Sequence, residues 1–87
     1  MKSSMSTYYL IGEAETEKIL CVETYETAHG YEDEYFFSNM LEIACKYRTY
    51  DDAKKRISLL SKSITEGKKI TIIKADEKID FTVFYKI

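Results

Sequence analysis

Two short apolar runs near the start of the chain predict β-strands. Tyr8–Ile11 and Lys18–Tyr25 are rich in aromatic and branched side chains, and the polar stretch Gly12–Glu17 separates them. Such side chains are enriched in strands, and polar residues between two strands favour a turn. We therefore expect an antiparallel hairpin over residues 7–25.

The end of the chain repeats this pattern. Lys69–Lys74 and Ile79–Tyr85 read as two more strands, which flank a turn near Asp76 and Glu77. Several strands carry large apolar groups at adjacent positions, and therefore on both faces of a sheet: Tyr8 with Tyr9, Ile72 with Ile73, and Val83 with Phe84.

A helix is predicted over about residues 50–65. Thr49 is a good N-cap, and Asp51 and Asp52 place negative charge in the first turn, where the helix dipole favours it. Gly67 supplies a terminator. One apolar stripe follows at helical spacing, formed by Ala53, Ile57, Leu60 and Ile64.

Residues 27–47 carry mixed signals. A loop is expected to begin at Ala28–Gly30. It should be exposed to solvent, because it continues into the acidic residues Glu32–Glu34. Farther on, Phe36, Phe37, Met40, Leu41 and Ala44 follow a helical spacing, whereas Leu41–Tyr47 alternates like a strand. We favour a short strand or an irregular segment near residues 41–47.

Together these elements predict an α+β fold in which an antiparallel sheet of about four strands carries one main helix on one face, in the order ββ-x-αββ. One helix covers one face only. The other face needs residues 27–47, a second subunit or a partner, because Tyr9, Ile11, Ile73 and Phe84 would otherwise leave a large exposed patch. On this basis we expect a homodimer.

Length and composition predict a single domain over residues 1–87. We expect residues 1–6 to be a flexible start, and Met1–Ser4 to be an upstream extension or cloning remnant if Met5 is the true start. No apolar run is long enough to span a membrane, and the start lacks the apolar core of a signal peptide. Cys21 and Cys45 lie among apolar neighbours, which favours free thiols in a reducing cytoplasm.

The net charge is −2, but residues 1–50 carry −5 and residues 51–87 carry +3. This asymmetry indicates a charged partner, unless folding interleaves the two halves. Basic side chains cluster around the predicted helix and could line one edge, but nearby acids match most of them: Lys54, Lys55, Arg56, Lys62, Lys68, Lys69 and Lys74. A pI near 5.4 argues against direct nucleic-acid binding.

No catalytic, metal or cofactor motif is legible. His29 has no Cys or His at metal spacing, and Cys21 and Cys45 form no C-x-x-C pair. Adjacent acids in a loop without EF-hand spacing are normally solvated, and no glycine-rich phosphate loop is present. We therefore expect no enzyme, no metal and no cofactor.

The run from Tyr25 to Phe37 interleaves five aromatic residues with four carboxylates. Tyrosine is favoured at interfaces, and an acidic surface complements a basic groove built for phosphates. The alternative is that the aromatics belong to the core and the acids only confer solubility. The candidate partner-binding residues are Tyr25, Glu26, Tyr31, Glu32, Asp33, Glu34 and Tyr35.

The stretch Ala44–Lys55, together with Tyr8–Ile11, resembles small uncharacterised accessory proteins of phages and prophages from low-GC Gram-positive bacteria. In it an Ala-Cys-Lys-aromatic phrase leads into Thr, two acids, Ala and Lys. The resemblance carries no catalytic residues. It implies a setting in which small acidic proteins inhibit nucleases, sequester signalling molecules or modify host machinery.

Two hypotheses follow. The first is a non-enzymatic phage accessory protein that binds a host or defence-system protein, as an anti-defence inhibitor of a nuclease such as a CRISPR effector. The second is a nucleotide or small-molecule sponge at a subunit interface, with Arg48, Arg56 and lysines holding phosphates. Both place the protein in the cytoplasm, in a phage-infected host for the first.

Overall fold

The computed structural model describes residues 2–81, with side chains over residues 6–76. Four strands form one antiparallel sheet in the order β3-β2-β1-β4. They are β1 (Lys2–Glu13), β2 (Lys18–Thr27), β3 (Gly30–Ser38) and β4 (Ile70–Phe81). Helix α1 (Tyr50–Leu59) and the one-turn α2 (Lys62–Thr65) follow a short 3₁₀ turn at Leu41–Ile43. The α+β class, with a four-stranded sheet and one main helix, is confirmed.

The strand order along the chain differs from the expected one. The third strand comes from residues 30–38, so the loop expected to begin at Ala28–Gly30 and to continue through Glu32–Glu34 was wrong beyond the two-residue turn. The turn expected near Asp76 and Glu77 is absent, because β4 continues through both residues. Residues 82–85 of the expected last strand lie outside the described residues. Residues 2–6, expected as a flexible start, belong to β1 and pair with residues 77–81 of β4.

The sheet consists of two long ribbons that meet at one end. β1 and β4 pair over twelve positions, from Lys2 with Phe81 to Glu13 with Ile70, and β2 and β3 pair over nine. β1 and β2 pair only at Gly12 with Ile19 and at Glu13 with Lys18. Beyond these two positions the ribbons diverge.

Residues 44–47, the inserted segment, fill the space where the ribbons diverge. The Cys45 N–H donates to the Leu20 carbonyl (3.0 Å), which ties the segment to β2. Tyr47 and Tyr9 exchange two backbone hydrogen bonds of 2.8 and 2.9 Å, which tie it to β1. The segment therefore supplies the hydrogen-bond partners that the two central strands do not find in each other.

The main core lies between the sheet and the helices. Ile11, Leu20, Cys45 and Ala53 form its buried centre, and partly buried side chains from α1, α2, β3 and β4 pack around them. Leu60 and Ile64 reach this core, as the predicted apolar stripe requires. The expected single helix is nevertheless broken at Leu60, whose backbone is extended (φ −71°, ψ 142°). Ser58 donates its hydroxyl to the Lys55 carbonyl (2.7 Å), a local bond that competes with continued helix.

The opposite face of the sheet is covered in part by the segment after β3. Leu10, Ile19 and Cys21 form a second buried cluster, against which Ile43 and Ala44 pack. Tyr9 and Ile11 lie on the helix side, and Ile11 is fully buried, so assigning them to an exposed patch was wrong. Ile73 lies on the other face and is 40% exposed, while Phe84 is outside the described residues. No helix in the described part is long and apolar enough to cross a membrane.

Candidate protein-binding site

The far half of the β2–β3 ribbon is a two-stranded arm, residues 23–34, here called the acidic arm. Every residue of the arm except Thr27 is exposed. The arm contains five carboxylates and no lysine or arginine. Its strands pair only with each other in the described chain, because β1 contacts β2 at the opposite end. The arm therefore presents both of its faces to solvent.

The strand register distributes the candidate residues over the two faces of the ribbon. Tyr25, Glu32 and Glu34 lie on the face away from the helices, on the same side as Cys21 and Phe36. The helix-side face carries Glu26, Tyr31, Asp33 and Tyr35, in line with Leu20 and Phe37. The seven predicted residues therefore form two surfaces, not one.

Carboxylates on the face away from the helices lie directly opposite one another. Glu23 pairs with Glu34 across the ladder, and Glu32 lies diagonally to Glu23. Like charges that face each other in a sheet are destabilising. Among the described residues, no hydrogen bond or ion pair joins the side chains of Glu23, Glu26, Glu32 or Glu34 to another group. Glu23 was not among the predicted site residues, although its place two residues before Tyr25 on the same strand was a usable signal.

Local hydrogen bonds hold the arm in shape. Thr24 donates its hydroxyl to the Asp33 carboxylate (2.5 Å), which occupies one acid of the helix-side face. At the turn, the Thr27 hydroxyl accepts from the His29 N–H (3.2 Å) and donates to the Gly30 carbonyl (3.0 Å). Gly30 has a φ of 117°, which glycine adopts readily and other residues do not. The turn that sets the register is thus specified by Thr27 and Gly30.

Tyr35 is the least accessible of the seven candidates. Its ring is half-buried against the main core, and the Arg56 guanidinium lies 4.9 Å from the ring centroid. Tyr25 and Tyr31 are 46% and 76% exposed, so they are the tyrosines available to a partner. Tyr35 belongs to the base that fixes the arm on the helices.

Arg56 also lines a shallow groove of about 410 Å³ beside β3. Asp33 and Glu34 contribute to one wall and Leu59 to another, with Leu59 70% exposed. Sequence patterns did not predict this groove, because a single helix was expected through Leu60 and the break there carries no proline or glycine. Arg48, the other arginine expected to hold phosphates, is exposed and is not part of this lining.

The chain's histidine and cysteines lie in different parts of the fold. His29 is in the exposed turn of the acidic arm, whereas Cys21 is fully buried at the base of β2. The strand between Cys21 and Thr27 spans roughly 20 Å. Burial raises the pKa of the thiols of Cys21 and Cys45, so both stay protonated at neutral pH. His29 and Cys21 do not form a nucleophile–base pair.

The described residues contain no group of three or more His, Cys, Asp or Glu side chains arranged to hold a metal ion. Comparisons with protein-family models, with curated proteins and with solved structures found no significant match.

Proposed function

We propose that this chain is a non-enzymatic phage accessory protein that binds a host or defence-system protein through the acidic arm. Its target is a protein with a basic, nucleic-acid-binding surface, and the effect is inhibition of a nuclease such as a CRISPR effector. The phage setting comes from the sequence resemblance. The observation that supports binding is a solvent-exposed arm whose carboxylates form no ion pair with any side chain that the structure describes.

The charge arrangement of the arm favours binding over a purely structural role. Five carboxylates within residues 23–34 repel one another, and the pair formed by Glu23 and Glu34 reduces the stability of the ladder. A partner with a basic groove removes this repulsion on contact. Electrostatic attraction of this kind also accelerates association, so we expect binding that weakens as salt is added.

The exposed tyrosines supply the apolar contact area that charge alone does not. Tyr25 and Tyr31 lie on opposite faces near the end of the arm. Tyrosine buries a large, rigid surface and retains a polar hydroxyl, which makes it frequent at the centre of interfaces. An arm with one tyrosine on each face is suited to insertion into a cleft, where both faces are contacted.

Affinity capture with matched variants tests this proposal. The full chain is immobilised and exposed to lysate of a low-GC Gram-positive bacterium that carries a CRISPR system, and bound proteins are identified by mass spectrometry. The arm variant combines Glu23→Gln, Glu32→Gln and Glu34→Gln. The control combines Glu15→Gln, Glu42→Gln and Glu66→Gln, three exposed acids outside the arm, so that the change in net charge is the same.

We expect the control to retain a nucleic-acid-processing partner and the arm variant to lose it. Because the arm substitutions remove like-charge repulsion, the arm variant should melt no lower than the parent chain. Lost capture is then not explained by unfolding. The purified partner should lose nuclease activity when the parent chain is added. Capture that is equal for both variants, or a partner that remains fully active, contradicts the proposal.

A further inference from the structure

β3 is an edge strand with an open outer side. The sheet ends at β3 in the described chain, and no backbone bond outside the β2–β3 ladder reaches residues 31–37. An edge of this kind leaves alternate N–H and C=O groups free, and it accepts an added strand from another chain. Residues 31–37 offer an edge long enough for a short extended peptide.

The surroundings of this edge differ on its two sides. On the helix side lies the groove described above, with the apolar side chains of Leu59, Leu60 and Ile64 in its lining. On the other side, Glu32 and Glu34 project from β3 next to Glu23 of β2. An added strand would therefore meet an apolar surface on one face and carboxylates on the other.

Charge decides which occupant fits. A second copy of β3 would bring Glu32, Asp33 and Glu34 of two chains together, and like charges across a ladder are unfavourable. Nucleic acid would bring phosphates to the same carboxylates. A basic peptide instead places lysine or arginine beside Glu32 and Glu34. Arg56 lies over the Tyr35 ring and lines the groove together with Glu34, but among the described residues it forms no ion pair with Glu32 or Glu34.

We propose that an extended segment of the partner, with alternating basic and apolar residues, binds as an added strand on β3. Its basic side chains lie beside Glu32 and Glu34, and its apolar side chains enter the groove at Leu59. This inference rests on the proposed function and specifies which part of the partner is recognised. The contact is the outer edge of β3, along residues 31–37.

The test uses the full chain and a blocked peptide of alternating lysine and valine. Binding is followed by fluorescence anisotropy, and hydrogen exchange of the β3 amides is followed by NMR. A second peptide, in which proline replaces valine, has the same charge but fewer backbone donors. We expect the lysine–valine peptide to slow exchange of outward-facing amides within residues 31–37. We expect the proline peptide to bind about tenfold more weakly or worse.

Matched leucine variants locate the peptide. Leu59→Ser removes the exposed groove leucine, and Leu41→Ser removes a leucine of similar exposure from the 3₁₀ turn. Weaker binding with the first and unchanged binding with the second supports the inference. Equal binding of both peptides, or protection of β4 in place of β3, overturns it. If arm-dependent capture succeeds while β3 gains no protection, strand addition fails and the proposed function stands.

Discussion

Glu13 is a buried carboxylate at the end of β1, where the chain turns towards β2. It accepts hydrogen bonds from the N–H groups of Thr16 (2.8 Å) and Glu15 (3.2 Å) and from the Thr16 hydroxyl. The Thr16 hydroxyl contributes most to lowering the pKa of Glu13 below its ordinary value of 4.5. These bonds shape the connection between the two strands that otherwise pair least.

The lowered pKa of Glu13 predicts a pH dependence of stability. A group whose pKa is lower in the folded state stabilises the fold fully above its unfolded pKa, and this contribution disappears as the pH falls through the folded pKa. We expect Glu13→Gln to lower the melting temperature at pH 7, with a difference from the parent chain that shrinks below about pH 4.5. Thermal melts across this range measure it. A difference that is constant with pH, or equal for Glu15→Gln, would refute the role of the carboxylate.

Gly12 lies where a side chain would contact Ile73. A Cβ at residue 12 would lie 2.7 Å from Ile73 Cδ1, the end of a flexible side chain. Displacing that side chain costs about 0.5–1.5 kcal/mol, while replacing glycine with alanine gains about 0.4–1 kcal/mol through the unfolded state. We expect Gly12→Ala to be near neutral alone but stabilising in an Ile73→Val background, which lacks Cδ1. Urea unfolding of the four proteins tests this. Equal effects in both backgrounds would show that Ile73 is not the obstacle.

At the level of elements, the start of α1 was predictable because its signals are local. Thr49 accepts from the Asp52 N–H (3.1 Å), and Asp51 and Asp52 occupy the first turn. β3 was not predictable, because Phe36 and Phe37 are both covered, the first by the 3₁₀ segment and the second by the helices. Residues 30–34 of β3 are exposed on both faces and residues 35–38 are partly buried on both, so the strand lacks the alternation that would identify it. The break at Leu60 was missed because no proline or glycine marks it and the apolar stripe continues across it to Ile64.

The cap of α1 provides a test at this scale. Removing the hydroxyl in Thr49→Ala leaves the Asp52 N–H without its partner, which costs about 1 kcal/mol. For a domain of this size the melting temperature should fall by about 4–8 °C. Thr49→Ser keeps the acceptor and should melt close to the parent chain. An equal loss for both variants would assign the effect to the threonine methyl group.

At the level of the whole molecule, the exposure of the acids in the run from Tyr25 to Phe37 was predictable, but the distribution of its residues over two faces was not. Composition alone placed Tyr25, Tyr31 and Glu32 in one candidate set. Which face each occupies depends on register, and the turn at Thr27–Gly30 sets that register. The groove at Leu59 required the relative placement of β3 and the helices, for which the sequence carries no local signal.

The chain covers one face of its sheet with helices and part of the other face with the segment after β3, and this affects the expected oligomeric state. The homodimer expected from the sequence relied on a patch that included Tyr9 and Ile11, and both lie beneath the helices. Ile43 and Ala44 cover part of the other face. We now expect light scattering at micromolar concentration to give a mass near 10.2 kDa. A value twice as large would favour the homodimer and would direct attention to Ile73 and β4.

The inserted segment has a consequence for the order of folding. β2 and β3 are adjacent in sequence and pair through a tight turn, whereas β1 and β4 join residues as distant as Lys2 and Phe81. Closing so long a loop is slow compared with forming a hairpin. The β2–β3 hairpin should therefore form first, receive residues 44–47, and only then present Tyr47 to β1. During synthesis, β1 is made before β4, with which it pairs over twelve positions. Until β4 is available, the unpaired β1 is exposed to association with other chains.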